Sequence, residues 1–160
     1  MTRSVEILFT RRATIGSDLI RALTWSPFSH VDIIVRKDRL APVREAFVIG
    51  AEAVAGVVRR PLAERLATAS RAAIMHIACE HSDEVEHAAA SQLGKPYDWR
   101  GLLGLGVRRR WQDDDKWFCS ELVAWAFEQA GHRLFRPDTH SRITPQHLWL
   151  LAHPTQWLER

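Results

Sequence analysis

Two residue types in this sequence are equipped for nucleophilic chemistry together, and they stand far apart. Cys119 lies in KWFCSELVAWAF, behind Trp117 and Phe118. From it, Leu122, Val123, Ala126, Phe127 and Ala130 return at steps of three and four, which predicts a helix ended by Gly131. A lone cysteine is more often packing than chemistry. A helix start changes that balance, because its unpaired N–H groups and positive dipole end favour the thiolate, the nucleophilic form. The same N–H groups suit the oxyanion of acyl transfer. A thiolate nucleophile needs a base. Of the eight histidines, His30 alone opens a strand, HVDIIV, directly after a loop, SPFS. Strand ends at a sheet rim are where sites form.

Other chemistries are weaker. His76, Cys79 and His81 are close in HIACEH, but a strand turns His76 and Cys79 to opposite faces. No second Cys/His pair has zinc spacing, so neither a metal nor any other cofactor is expected. Arginine pairs and triplets (Arg11–Arg12, Arg59–Arg60, Arg108–Arg110) suit an anionic partner. The net charge is only +3, and Asp113–Asp115 follow the largest cluster, so a self-compensating surface is expected rather than a nucleic-acid partner. Seven tryptophans suit either core anchoring or an apolar or sugar-stacking cleft.

The elements that must position Cys119 and His30 read as follows. Strands are expected at SVEILFT, HVDIIV, AFVIGA, VAGVVRR and AAIMHIA. Helices are expected at GSDLIRALT with Ser17 as cap, at PLAERLATA with Pro61 at or near its first position, and at SDEVEHAAASQL with Ser82 as cap. The stretch YDWRGLLGLGVRRRWQDDDK reads as a long loop, followed by the Cys119 helix and a last helix with Thr144 as cap and Pro145 first. Strands gather in the first half and helices in the second, the α+β pattern of an antiparallel sheet packed against helices. With 160 residues the chain, 1–160, reads as one domain. Two cysteines are too few for a disulfide scaffold. No apolar run approaches the roughly 18 residues of a membrane span, and MTRSVEILFTRRATIG lacks a signal-peptide core. The default expectation is a cytoplasmic protein, with delivery by phage lysis or another protein as the other route.

GKPYDW followed by FCSELVAWAF resembles the nucleophile region of the NlpC-type cell-wall peptidases, papain-like thiol hydrolases. SHVDIIV looks like their histidine strand, FVIGA like the next strand and GVVRRPL like the segment after it, while ITPQHL resembles a recurring tail of permuted members. Here histidine precedes cysteine, as in the circularly permuted branch that includes YiiX-like proteins and is akin to the lecithin:retinol acyltransferase group. The loop TWSPFSH also resembles prophage proteins. The resemblance implies an NlpC-type papain-like fold with Cys119 as nucleophile, His30 as general base, and Tyr97 and Ser120 lining the site or its oxyanion position. It also implies a third polar residue to orient the imidazole, at the position that reads Gly50, which has no side chain. Asp32, two residues from His30 and on its face, is the first substitute, and Glu52 the next.

The expected function is therefore a thiol hydrolase acting on an amide or ester through a Cys119 acyl-enzyme. Its substrate would be a cell-wall peptide or a lipid-like amide or ester. The alternative is a catalytically idle binding domain of the same fold. Nothing in the sequence sets an oligomeric state.

Overall fold

The computed structural model describes residues 3–13, 15–36, 42, 45–98, 117–136, 143–151 and 156–159. Most of the expected long loop, with Trp99, Trp111, Arg108–Arg110 and Asp113–Asp115, lies outside these residues. In chain order the elements are β1 (Ser4–Arg11), α1 (Ile15–Thr24), β2 (His30–Val35), β3 (Phe47–Glu52), β4 (Gly56–Pro61), α2 (Leu62–Ala67), β5 (Arg71–Ala78), α3 (Ser82–Ser91), α4 (Cys119–Gln129), α5 (Pro145–Trp149) and β6 (Gln156–Glu159). The strands form one antiparallel sheet in the order β4-β3-β2-β1-β5-β6. This is the α+β arrangement expected from the sequence.

Alternation along the strands builds two apolar layers. Ile7, Phe9, Val31, Ile33, Ile49 and Met75 point to the side where Val85 of α3 and Leu122, Val123 and Phe127 of α4 close the main core. Leu8, Ile34, Val48 and Ile74 point the other way, where Leu62 of α2 joins a smaller cluster. Helix α4 lies along β2 and β3, so the helix carrying the cysteine rests on the strand that begins with the histidine.

Two expected helix starts shift, and the one expected at or near Pro61 holds. Helix α1 begins at Ile15, so Ser17 is not its cap; the Ser17 hydroxyl instead donates to Ser29 Oγ at 2.6 Å and accepts the Arg12 N–H at 3.3 Å. Ser82 is the first residue of α3, with His81 at the cap position. Pro61 ends β4 and stands one residue before α2. Strand β6 was not expected: its run is short and partly polar, and only pairing with β5 makes it a strand. Of the tryptophans, Trp149 packs on Phe28 and Phe9 at centroid distances of 4.8 and 5.2 Å, and Trp117 on Trp125 at 5.0 Å. Trp25, in contrast, is 88% exposed.

Candidate active site

The chain just before Cys119 is fixed from two directions. Trp117 pairs as a short parallel bridge with Tyr97: the Trp117 N–H donates to the Pro96 carbonyl, and the Asp98 N–H to that of Trp117, both at 3.1 Å. GKPYDW therefore runs beside WFC. Phe118 is extended and buried, and its N–H donates to Glu121 Oε2 at 3.3 Å, so a side chain of the first turn reaches back over the helix start. Cys119 follows as the first residue of α4, 1% exposed.

The loop before His30 is held as firmly. The Phe28 N–H donates to Ser26 Oγ at 3.1 Å, and the Ser29 N–H to the Thr10 carbonyl at 3.1 Å. His30 then opens β2, and its side chain lies within electrostatic reach of Cys119. Its Nε2 lies 2.8 Å from Asp32 Oδ1. The ring side chain is 18% exposed. Burial works against its positive charge, but the Asp32 charge and hydrogen bond, and then Cys119, outweigh burial and push the His30 pKa up to about 9.

Asp32 is fully buried and has a second cationic neighbour. Arg65 of α2, itself 2% exposed at its side chain, places Nε 2.9 Å from Asp32 Oδ2. That contact is close but not aligned as a hydrogen bond, so it is Coulombic. Arg65 Nη2 donates to Asp32 Oδ1 at 3.2 Å. Burial alone would raise the Asp32 pKa; His30 and Arg65 reverse this and hold it below the usual carboxylate value.

The pairing of β2 with β3 explains Gly50. The register Ile33↔Ile49, carried one step on, sets Asp32 opposite Gly50. A Cβ at position 50 would overlap Asp32 Oδ1, and would lie 3.0 Å from its Cγ and 3.2 Å from His30 Nε2. The empty place where the resemblance expected a third side chain is filled by a carboxylate from the neighbouring strand. Glu52, the other candidate partner of His30, does not reach it. Its carboxylate binds Arg65 Nη2 at 2.9 Å and Arg60 at 2.9 and 3.1 Å, which outweighs partial burial and lowers its pKa.

The remaining expected residues divide. Tyr97 is buried, meets Phe118 edge-on at 5.9 Å, and lies within electrostatic reach of Cys119. Burial, and then the negative character of Cys119, Glu121 and Asp98, raises its pKa, so the phenol keeps its proton and acts as a donor. The Ser120 hydroxyl is buried and donates to the Ile143 carbonyl at 2.6 Å, which ties α4 to the segment before α5.

Sequence reasoning missed two features. Arg65 reads as an ordinary helix-surface cation in LAERLA, and only α2 folding against β3 and β4 aims it inward. The second is a buried acid pair beside the nucleophile. Glu121 is 4% exposed and Asp98 is fully buried. Burial first, opposed by the Phe118 N–H and reinforced by Asp98, pushes the Glu121 pKa up to about 8. A glutamate in a first helical turn otherwise reads as a dipole partner facing water.

Comparison with known proteins agrees with this arrangement. The family model described as a permuted papain-like amidase enzyme, YaeF/YiiX, C92 family, matches residues 5–148. A solved structure described as the metalloprotein yiiX from Escherichia coli O157:H7 superposes with a TM-score of 0.67 at 20% identity, covering 98% of this chain and 95% of that one. That likeness is one of fold. In this chain no group of three or more His, Cys, Asp or Glu side chains among the described residues is placed to hold a metal ion, and Asp32 and Glu52 are already paired with arginines. No curated protein matches. Histidine strand before cysteine helix, an antiparallel sheet under that helix, and a family match over nearly the whole chain lead to one statement: the chain belongs to the permuted papain-like amidase family.

Proposed function

We propose that the chain is a thiol amidase that cleaves a peptide-type amide through a Cys119 acyl-enzyme, with His30 as the proton carrier and Asp32 as its orienting partner. The observation that carries this reading is the His30 ring, within electrostatic reach of Cys119, with its Nε2 at 2.8 Å from the Asp32 carboxylate. An idle domain has no need of such an arrangement, least of all one that requires glycine opposite Asp32.

The steps follow from the groups present. The Cys119 sulfur attacks the amide carbon, and the carbonyl electron pair moves onto oxygen. N–H groups at the start of α4, with the Tyr97 hydroxyl nearby, are the donors for that oxyanion. His30 gives its proton to the leaving nitrogen, the C–N bond breaks, and a thioester remains on Cys119. Water then attacks the thioester while His30 takes its proton. The C–S bond breaks, the acid is released, and the charged imidazole beside the Cys119 sulfur is restored. Asp32 stays ionised throughout, holding the ring and stabilising its charged form. An ester would follow the same steps with an alcohol leaving.

The test uses iodoacetamide near neutral pH and a panel of peptide and acyl amides. The wild-type protein is expected to be alkylated at Cys119 faster than a free thiol and to release amine from at least one amide. Cys119→Ala should abolish both, and His30→Ala should slow both by about a hundredfold or more. Alkylation at the free-thiol rate, together with activity that survives in Cys119→Ala, sinks the mechanism.

A further inference from the structure

We infer that Arg65 is a positioning residue of this site, acting through Asp32 to fix the His30 ring, with Glu52 as the second carboxylate on its guanidinium. The inference rests on the thiol-amidase reading and deepens it.

Asp32 accepts the His30 ring with Oδ1, and the same oxygen accepts Arg65 Nη2 at 3.2 Å. Arg65 Nε sits 2.9 Å from the other oxygen. With Oδ1 hydrogen-bonded to both His30 and Arg65 and Oδ2 facing the guanidinium charge, rotation of the carboxylate about its Cβ–Cγ bond is opposed by Arg65, so α2 helps to set the direction of the bond to His30. The alternating layers show why a cation is needed there. Asp32 lies in a row of apolar side chains with Ile34 and is fully buried, where a lone carboxylate is costly. Glu52 lies 2.9 Å from the same Arg65 Nη2 that donates to Asp32, and Arg60 in turn closes on Glu52. The chain of charges runs from Arg60 on β4 through Glu52 on β3, Arg65 on α2 and Asp32 on β2 to His30 and Cys119. Glu64 is the remaining charged group near Arg60. Lysine at position 65 would keep the charge but could not reach Asp32 Oδ1, Asp32 Oδ2 and Glu52 from one planar group.

The test compares wild type, Arg65→Lys and Arg65→Gln, with Arg36→Gln as a control that breaks an ion pair of similar geometry with Glu6, outside the site. Folding is checked by circular dichroism. The second-order rate of iodoacetamide alkylation is then followed from pH 4 to 9, and the downfield His30 Nε2 proton is observed by NMR. In both Arg65 variants the rate at pH 6 is expected to fall about tenfold or more, the scale of a lost charge-assisted hydrogen bond. The acid limb should move to higher pH as Asp32 takes a proton more readily, and the downfield signal should broaden or move. Arg36→Gln should match wild type. Folded Arg65 variants with the wild-type profile and an unmoved signal overturn the inference while leaving the amidase reading intact. Failure of both variants to fold also overturns it, since Arg65 would then be a structural ion. A wild-type protein that reacts no faster than a free thiol overturns the reading beneath it.

Discussion

At the residue scale the account turns on a carboxylate that occupies the place of a missing side chain. Asp32 reaches His30 only because position 50 carries hydrogen. Gly50→Ala is expected to displace Asp32, cost about 1–3 kcal/mol as an overpacked site, and return the His30 pKa toward its ordinary 6.5. Thermal unfolding and the NMR titration of the ring check these outcomes separately. The raised His30 pKa also has a stability consequence. The folded protein holds this proton up to about 9, whereas the unfolded chain releases it near 6.5. The stabilisation is fully present below 6.5 and is lost as pH rises to about 9, by on the order of 2–3 kcal/mol. Chemical denaturation across that window should show a steeper decline in wild type than in His30→Ala, which keeps only the part due to Glu121 below pH 8. Cys119 and His30 were legible in the sequence because a thiol at a helix start and an imidazole at a strand start are local signals. Asp32 was legible as a neighbour on the same face. What made it a partner, the cross-strand glycine and Arg65, is tertiary and has no local signature.

At the element scale the start of α4 does the most. Its first turn buries Cys119, Ser120 and Glu121 in succession, and Glu121 bonds back to the Phe118 N–H. Glu121 keeps its proton to about 8, while in the unfolded chain it ionises near 4.5. The folded state therefore binds the extra proton between those values, and stability falls as pH rises from 4.5 to 8. Glu121→Gln retains an acceptor for Phe118 and removes the titration. It is expected to be at least as stable as wild type at pH 8 and to decline less between pH 5 and pH 8, keeping only the part due to His30, which denaturant midpoints at the two pH values would show. The spacing of Leu122, Val123, Ala126 and Phe127 made this helix legible. Strand β6 was not, because four residues have no periodicity of their own and take strand form only beside β5.

At the scale of the whole molecule, one sheet serves two layers and the site lies where they meet. Helix α4 brings the nucleophile from the main core, and α2 brings Arg65 from the smaller cluster on the opposite side. The permuted order, histidine strand before cysteine helix, follows from the chain and was legible from the two motifs together. Among the described residues no helix is long and apolar enough to cross a membrane. The central claim, that Asp32 holds a charged His30 ring against Cys119, is tested most directly by NMR titration of the His30 imidazole in wild type and Asp32→Asn. The account predicts a midpoint of about 9 in wild type and a clear fall in the variant. A wild-type midpoint near 6.5, unchanged by Asp32→Asn, would contradict it.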